Sequence, residues 1–172
     1  MDDKKIIDEI MVYTDGSLSR KKEKDGNITV YCGYGILYPN GELPNVSRIF
    51  KNGEPTNNRA ELQAIYVALI QIGKKYIYNK IKIYSDSKYC IQSLTEYITK
   101  WVKNGWMTSQ NKPVENQDII KPIYNIMRKQ KDKIEFVHVK AHTKNTDDMT
   151  KYNAQVDKLA KLGSKKIFID LL

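Results

Sequence analysis

The sequence predicts an α/β protein: a five-stranded mixed sheet, antiparallel in its first part and parallel in its second, flanked by helices. Three observations carry this. The first fifty residues hold β-prone runs divided by turn signals, and after Gly53-Glu54-Pro55 the apolar period lengthens from two to about 3.6 residues. From there on strands are separated by helices, an order that builds a sheet with helices packed against it.

Ile6 to Thr14 carries Ile6, Ile7, Ile10, Met11, Val12 and Tyr13 and reads as a buried first strand, ended by the turn signal Asp15-Gly16-Ser17. The polar stretch from Ser19 to Asn27 separates it from a second strand, Ile28 to Tyr38, and Pro39-Asn40-Gly41 forms a hairpin-type loop before a third, Val46 to Lys51. Thr56, Asn57 or Asn58 can cap a helix running to about Lys75, with Leu62, Ile65, Ala68, Leu69 and Ile72 as its apolar stripe. Lys80 to Ser85 is a strand and Ser87 to Tyr97 a helix. Trp101-Val-Lys-Asn-Gly-Trp106 and the polar stretch Met107 to Lys112 come next, then a helix from about Asn116 to Lys129. Ile134 to Val139 is the last strand; the loop Lys140 to Thr150 leads to a helix from about Lys151 to Gly163.

A chain of 172 residues fits one domain, residues 1–172, with a core over about 6–163 and a tail from Ser164 to Leu172. It needs no metal or disulfide staple to hold a core. The two cysteines, Cys32 and Cys90, lie far apart and outside any CxxC or Cys/His cluster, so neither a zinc site nor a disulfide framework is implied. The mixed, partly acidic N-terminus is unlike a signal peptide, and no apolar run approaches the ~18 residues of a membrane span, so a soluble intracellular protein of cytoplasm or nucleus, without membrane contact, is expected. Lys and Arg outnumber Asp and Glu by 29 to 20, a net charge of +9 that points to a polyanionic partner.

Four carboxylates stand in places that do not suit carboxylates. Asp15 and Asp86 end apolar strands, where open α/β sheets place their ligands. Glu61 falls on the face of the first long helix that carries Ile65, Ala68 and Ile72, and Asp157 falls beside Val156 and Ala160 on the apolar side of the last. An unpaired buried carboxylate is held protonated or shared with a cation, and oxygen-only ligands favour Mg²⁺ or Mn²⁺. Carboxylates gathered at one sheet end of a basic protein suit two metals acting on a phosphodiester. Each residue also has a plainer reading: Asp15-Gly16 as a turn, Asp86 before Ser87 as a helix cap, Glu61 paired with Arg59 or facing solvent, Asp157 paired with Lys161 at i+4.

Tyr13-Thr-Asp-Gly-Ser17, Thr56-Asn-Asn-Arg-Ala-Glu-Leu62, Tyr84-Ser-Asp-Ser-Lys-Tyr89, Trp101-Val-Lys-Asn-Gly-Trp106, Val139-Lys-Ala-His142 and Asn153-Ala-Gln-Val-Asp-Lys-Leu-Ala160, in this order, resemble type 1 ribonuclease H over about Ile10 to Gly163. The resemblance implies a ribonuclease H-like fold and endonucleolytic cleavage of the RNA strand of RNA–DNA hybrids, leaving 5′-phosphate and 3′-hydroxyl ends, by a monomer. It implies that Asp15, Glu61, Asp86 and Asp157 hold two Mg²⁺ ions, for which Mn²⁺ can substitute, and that His142 assists proton transfer or product release. His138 matches no functional position of the family.

For the substrate, the resemblance implies contacts from Asn57, Asn58 and Lys88 to the hybrid, and a DNA-phosphate pocket at Thr56 and Asn116. Asn153 belongs to the same set, and Trp101, Lys103 and Trp106, flanked by Tyr97 and Lys100, form a basic aromatic arm against the DNA strand. Three departures stand out: Lys88 where an uncharged side chain is usual, Glu54 in place of the pocket's arginine, and Met107 in place of a lysine. Arg20-Lys-Lys-Glu-Lys24 resembles the basic insertion of eukaryotic members and either touches phosphate or is a solvated loop. A hybrid-binding module without cutting activity, an integrase- or resolvase-type nuclease, and a domain excised from a reverse-transcriptase polyprotein are the competing readings.

Overall fold

A computed structural model describes residues 3–141, 143, 144 and 146–166. Its single sheet has the order β3-β2-β1-β4-β5. The strands are β1 (Lys5–Lys22), β2 (Ile28–Leu37), β3 (Val46–Ile49), β4 (Tyr76–Ser85) and β5 (Ile134–His138). β1 to β3 form an antiparallel meander, and β1, β4 and β5 run parallel, as the element order predicts.

The predicted turn at Asp15-Gly16-Ser17 is not there. β1 continues unbroken for 18 residues and changes partner instead: its parallel ladder with β4 ends at Tyr13↔Tyr84, and its antiparallel ladder with β2 runs from Tyr13↔Leu37 to Lys22↔Ile28. The new ladder satisfies the backbone groups that a turn would otherwise have had to cap. The reversal comes at 23–27, where Glu23 N–H donates to the Asn27 carbonyl at 2.8 Å and Gly26 takes φ +87°. Arg20 to Lys22 are therefore strand residues near a hairpin tip, not loop.

Helix α1 (Asn57–Lys75) begins at Thr56, whose hydroxyl accepts from the Arg59 N–H, and it lays Leu62, Ile65, Ala68, Leu69 and Ile72 against Ile10 and Val12 of β1. Each of these larger side chains is fully buried, a contribution of roughly 1.5–3 kcal/mol apiece. Beyond β4 a single helical run is divided into α2 (Lys88–Gln92), a π-helical turn (Ser93–Tyr97) and α3 (Ile98–Lys103). The sequence pattern predicts an end to this helix at Tyr97. Leu94 and Ile98 are both buried and carry the apolar stripe through the π turn, so the helix runs on under Trp101. Helices α4 (Gln117–Lys129) and α5 (Asp148–Ser164) complete the layers, with α5 on the opposite face from α1. There Val156 and Val139 pack on Tyr13 and Leu37, and the Tyr13 ring stacks on Tyr84 at 4.5 Å. β4 starts at Tyr76, earlier than the predicted Lys80, because Tyr76 and Tyr78 are buried in alternation with exposed Ile77 and Asn79. Among the described residues no helix is long and apolar enough to cross a membrane.

Candidate active site

Three of the four singled-out carboxylates meet at the carboxyl ends of the parallel strands. Asp15 stands two residues past the last parallel pair of β1, Asp86 follows the last residue of β4, and Glu61 lies in the first turns of α1. One carboxylate oxygen from each of Asp15, Glu61 and Asp86 lies within 4.8 Å of the other two. Gly16 makes the approach possible. A Cβ built there would stand 2.6 Å from the Glu61 nitrogen and 2.9 Å from the Ala60 Cβ, so the start of α1 rests directly on the β1 backbone. Gly16→Ala is expected to destabilise the fold by roughly 1–3 kcal/mol and to pull Glu61 away from Asp15; thermal unfolding together with a cleavage assay checks both.

The plainer readings of these residues fail for physical reasons. Ser87, not Asp86, caps α2, its hydroxyl accepting from the Cys90 N–H at 3.2 Å. Arg59 turns to Asp118 and makes two bonds of 2.8 and 2.7 Å to its carboxylate, leaving Glu61 without a cation. Glu61 is 5% exposed, and its Oε2 is buried without a hydrogen-bond partner among the described residues.

Removal from water at short range sets the electrostatics. Burial, reinforced by the charges of Asp86 and Asp157, pushes Asp15 up to about 7, although its contacts with Glu61 and the Gly16 N–H oppose the rise. Burial, then the charge of Asp15, holds Glu61 well above the ordinary carboxylate range. Without a cation the pair retains a proton near neutrality. A buried oxygen with no partner inside an all-oxygen donor set is the chemistry of a hard divalent cation, and the three residues fit one.

Asp157 stands apart from that trio. Its Oδ2 accepts from Lys161 Nζ at 2.7 Å, the i+4 pair, while the residue lines a small cleft of about 100 Å³ together with Asp86, Thr143 and Asn153. Asn153 is buried, donates to Asp86 Oδ2 at 3.4 Å, and keeps its own Oδ1 without a partner among the described residues. His142 lies outside the described residues, as does the tail beyond Lys166. His138 ends β5 as an exposed residue.

Beside the carboxylates, Asn57, Asn58 and Lys88 are exposed at the starts of α1 and α2. Asn116 precedes α4 with φ 61°; its amide donates to the Tyr89 hydroxyl at 2.9 Å and its Oδ1 accepts from Arg59 at 3.4 Å. Arg59 is thus the brace between Thr56 and Asn116, bonded through its backbone N–H to one and its guanidinium to the other. Sequence reasoning missed this part, because its true partner Asp118 is 59 positions away and no local pattern marks it. Tyr97, Trp101, Trp106 and Tyr124 form a line of rings with neighbouring centroids 5.8, 6.5 and 6.3 Å apart. Both tryptophans are partly buried against the core, and Lys121 Nζ sits 5.2 Å above the Trp106 ring; Lys103 is exposed.

Fold and site define a class: a mixed five-stranded sheet with an acidic centre at the carboxyl ends of its parallel strands. The RNase H family model matches residues 8–165. The chain is 36% identical over 144 residues to a probable ribonuclease H of Acanthamoeba polyphaga mimivirus, covering 83% of this chain and 62% of that protein. It is 37% identical over 160 residues to the ribonuclease H of Schizosaccharomyces pombe, covering 92% and 54%. With the ribonuclease H of Thermoanaerobacter sp. strain X514 the identity is 34% over 155 residues, covering 90% and 88%. The chain therefore spans only 62% and 54% of the length of the first two of these relatives. The solution structure of the PFV RNase H domain superposes with a TM-score of 0.72 at 27% identity, covering 91% of this chain and 94% of that one. A foamy viral protease-reverse transcriptase in complex with an RNA/DNA hybrid shares the fold, with a TM-score of 0.69 at 23% identity over 91% of this chain and 20% of that one. The chain belongs to the ribonuclease H family.

Proposed function

We propose that this chain is an endoribonuclease that hydrolyses the RNA strand of RNA–DNA hybrids and leaves 5′-phosphate and 3′-hydroxyl ends. The observation that carries the reading is the buried cluster of Asp15, Glu61 and Asp86, with Glu61 Oε2 unpartnered, in a basic chain of this family. Asp15, Glu61, Asp86 and Asp157 would hold two divalent cations, Mg²⁺ with Mn²⁺ able to substitute. Bound there, they would activate a water and stabilise the leaving 3′ oxygen. Asp157 can join because the Lys161 pair it gives up is an i,i+4 contact of a largely exposed lysine, worth only about 0.3–0.5 kcal/mol. Asn153 orients Asp86 through its amide, and His142 moves a proton or speeds product release.

Thr56 and Asn116, held together by Arg59, take a phosphate of the DNA strand. Asn57, Asn58 and Lys88 face the hybrid across the groove where RNA shows its 2′-hydroxyls, and Trp101, Lys103 and Trp106 form the arm along the DNA strand. All three clustered carboxylates come from one chain, so a monomer suffices. Both cysteines are free and buried, which suits a reducing, intracellular setting.

The deciding experiment incubates the protein with end-labelled RNA–DNA hybrid, RNA duplex, DNA duplex and single-stranded RNA, each with Mg²⁺ and with EDTA. Cutting of the hybrid's RNA strand alone, lost in EDTA, is the expected result. Binding without cutting in Mg²⁺ and Mn²⁺ overturns it in favour of a hybrid-binding module, and cleavage of the DNA duplex in favour of an integrase-like nuclease. Hybrid affinity is also expected to fall steeply with salt, with a log–log slope of about 0.9 per phosphate neutralised. A flat response in a salt titration would remove the basic arm from the argument.

A further inference from the structure

The positive charge is not confined to the proposed cleavage site. Two adjoining grooves of about 630 and 580 Å³ follow the outer side of β3, one of the two edge strands of the sheet. Lys4, Lys5, Lys74 and Lys75 surround the first, Lys51 lines the second, and Arg48 and Lys166 line both; Asp3 is the one carboxylate of either lining. Lys74 and Lys75 complete the last turn of α1, which accounts for two of these cations through the helix dipole. Lys166 donates to the Ser47 carbonyl, and Lys75 to the Glu42 carbonyl at 2.9 Å. Lys4, Lys5, Arg48 and Lys51 are exposed and form no ion pair among the described residues. Like charges collected along one edge with a single carboxylate among them repel one another unless an anion joins them.

The groove leads to the proposed phosphate pocket. Its residue Asn52 accepts from Arg59 Nη2 at 2.8 Å through the backbone carbonyl, and the same guanidinium reaches Asn116 at 3.4 Å. We propose that the β3 groove carries the phosphodiester backbone of the DNA strand as it runs on from the pocket at Thr56 and Asn116. This rests on the function proposed above. Point charges spaced along a strand suit a chain of phosphates. Of the anionic chains that such cations suit, the DNA strand is the one that the adjoining pocket at Thr56 and Asn116 is proposed to hold, and Asn52 and Arg59 join that pocket to the groove. The groove then adds affinity for substrate beyond the cut without touching the reacting phosphate.

The test measures binding of the full chain, in EDTA, to one core hybrid and to the same core whose DNA strand continues as a single-stranded extension of about ten nucleotides at the 5′ or the 3′ end. One of the two extensions is expected to tighten binding by about 5- to 10-fold and to steepen the log–log salt dependence by roughly 0.7 per added phosphate contact. The double variant Arg48→Gln/Lys51→Gln is expected to lose that gain while binding and cutting the bare core like wild type. No gain at either end, an equal gain from an RNA-strand extension, or a variant equally weakened on the bare core would overturn the groove assignment. Failure of the wild type to cut the core hybrid in Mg²⁺ would instead overturn the proposed function, since the gain is read from binding alone.

Discussion

Asp86→Asn is expected to lower hybrid cleavage by about 10³-fold or more while hybrid affinity and melting temperature stay close to wild type. The separation follows from where the side chain sits. Asp86 comes after the last residue of β4, is only partly buried, and among the described residues has a single long hydrogen bond, 3.4 Å from Asn153. The cap of the following helix is Ser87, so the fold has little to lose. The amide is nearly the same size but offers a neutral oxygen in place of an anionic ligand. Single-turnover cleavage, gel-shift binding in EDTA and thermal unfolding of the same preparation check the three parts, and a near wild-type rate would remove Asp86 from the metal site.

Asp15→Asn, unlike Asp86→Asn, is expected to change stability: to raise that of the metal-free protein at pH 8 by ~2–4 kcal/mol while abolishing cleavage. The sign follows from the protons. Burial raises the Asp15 carboxyl from 3.8 to about 7, so between those values the folded protein holds a proton that the unfolded chain has released. Stability therefore falls as pH rises from about 4 to about 7, and the whole cost is present above pH 7. The neutral amide never incurs it. Divalent cation relieves the same cost in the wild type, so Mg²⁺ is expected to raise the melting temperature of wild type at pH 8 and to do far less for the variant. Melting curves at pH 5 and pH 8, with and without Mg²⁺, separate these effects; a wild type more stable at pH 8 than at pH 5 without metal would contradict the buried-proton argument.

The sheet was legible because its signals are local. Alternation and turn chemistry mark β2 and the hairpin at Gly41, and the stripe from Leu62 to Ile72 marks α1 with its cap at Thr56. Events that depend on a distant partner were not. Asp15-Gly16-Ser17 has the composition of a turn, and only contact with Ala60 and Glu61 shows that its glycine serves close packing instead. The helix through Leu94 and Ile98 looked finished at Tyr97 because a π turn shifts its apolar stripe out of the 3.6-residue phase. At the site, burial marked Asp15 and Glu61 as anomalous carboxylates from their apolar neighbours alone. The sequence offers Arg59 a local partner in Glu61, whereas Asp118, far along the chain, holds it.

β1 belongs to two ladders and passes from one to the other at Tyr13. Its residues are thereby read in a fixed frame of two, like letters that must keep their places. One residue inserted or lost between Ile10 and Asp15 would turn Ile10 and Val12 out of the α1 side, or Asp15 away from Glu61, since a one-residue slip exchanges the faces of a strand. The hairpin at 23–27 has no such frame, because the sequence there sets only where the chain reverses. Length variation in this strand is thus confined to its far end, and chain inserted there changes what the protein reaches without disturbing the carboxylate centre at Asp15.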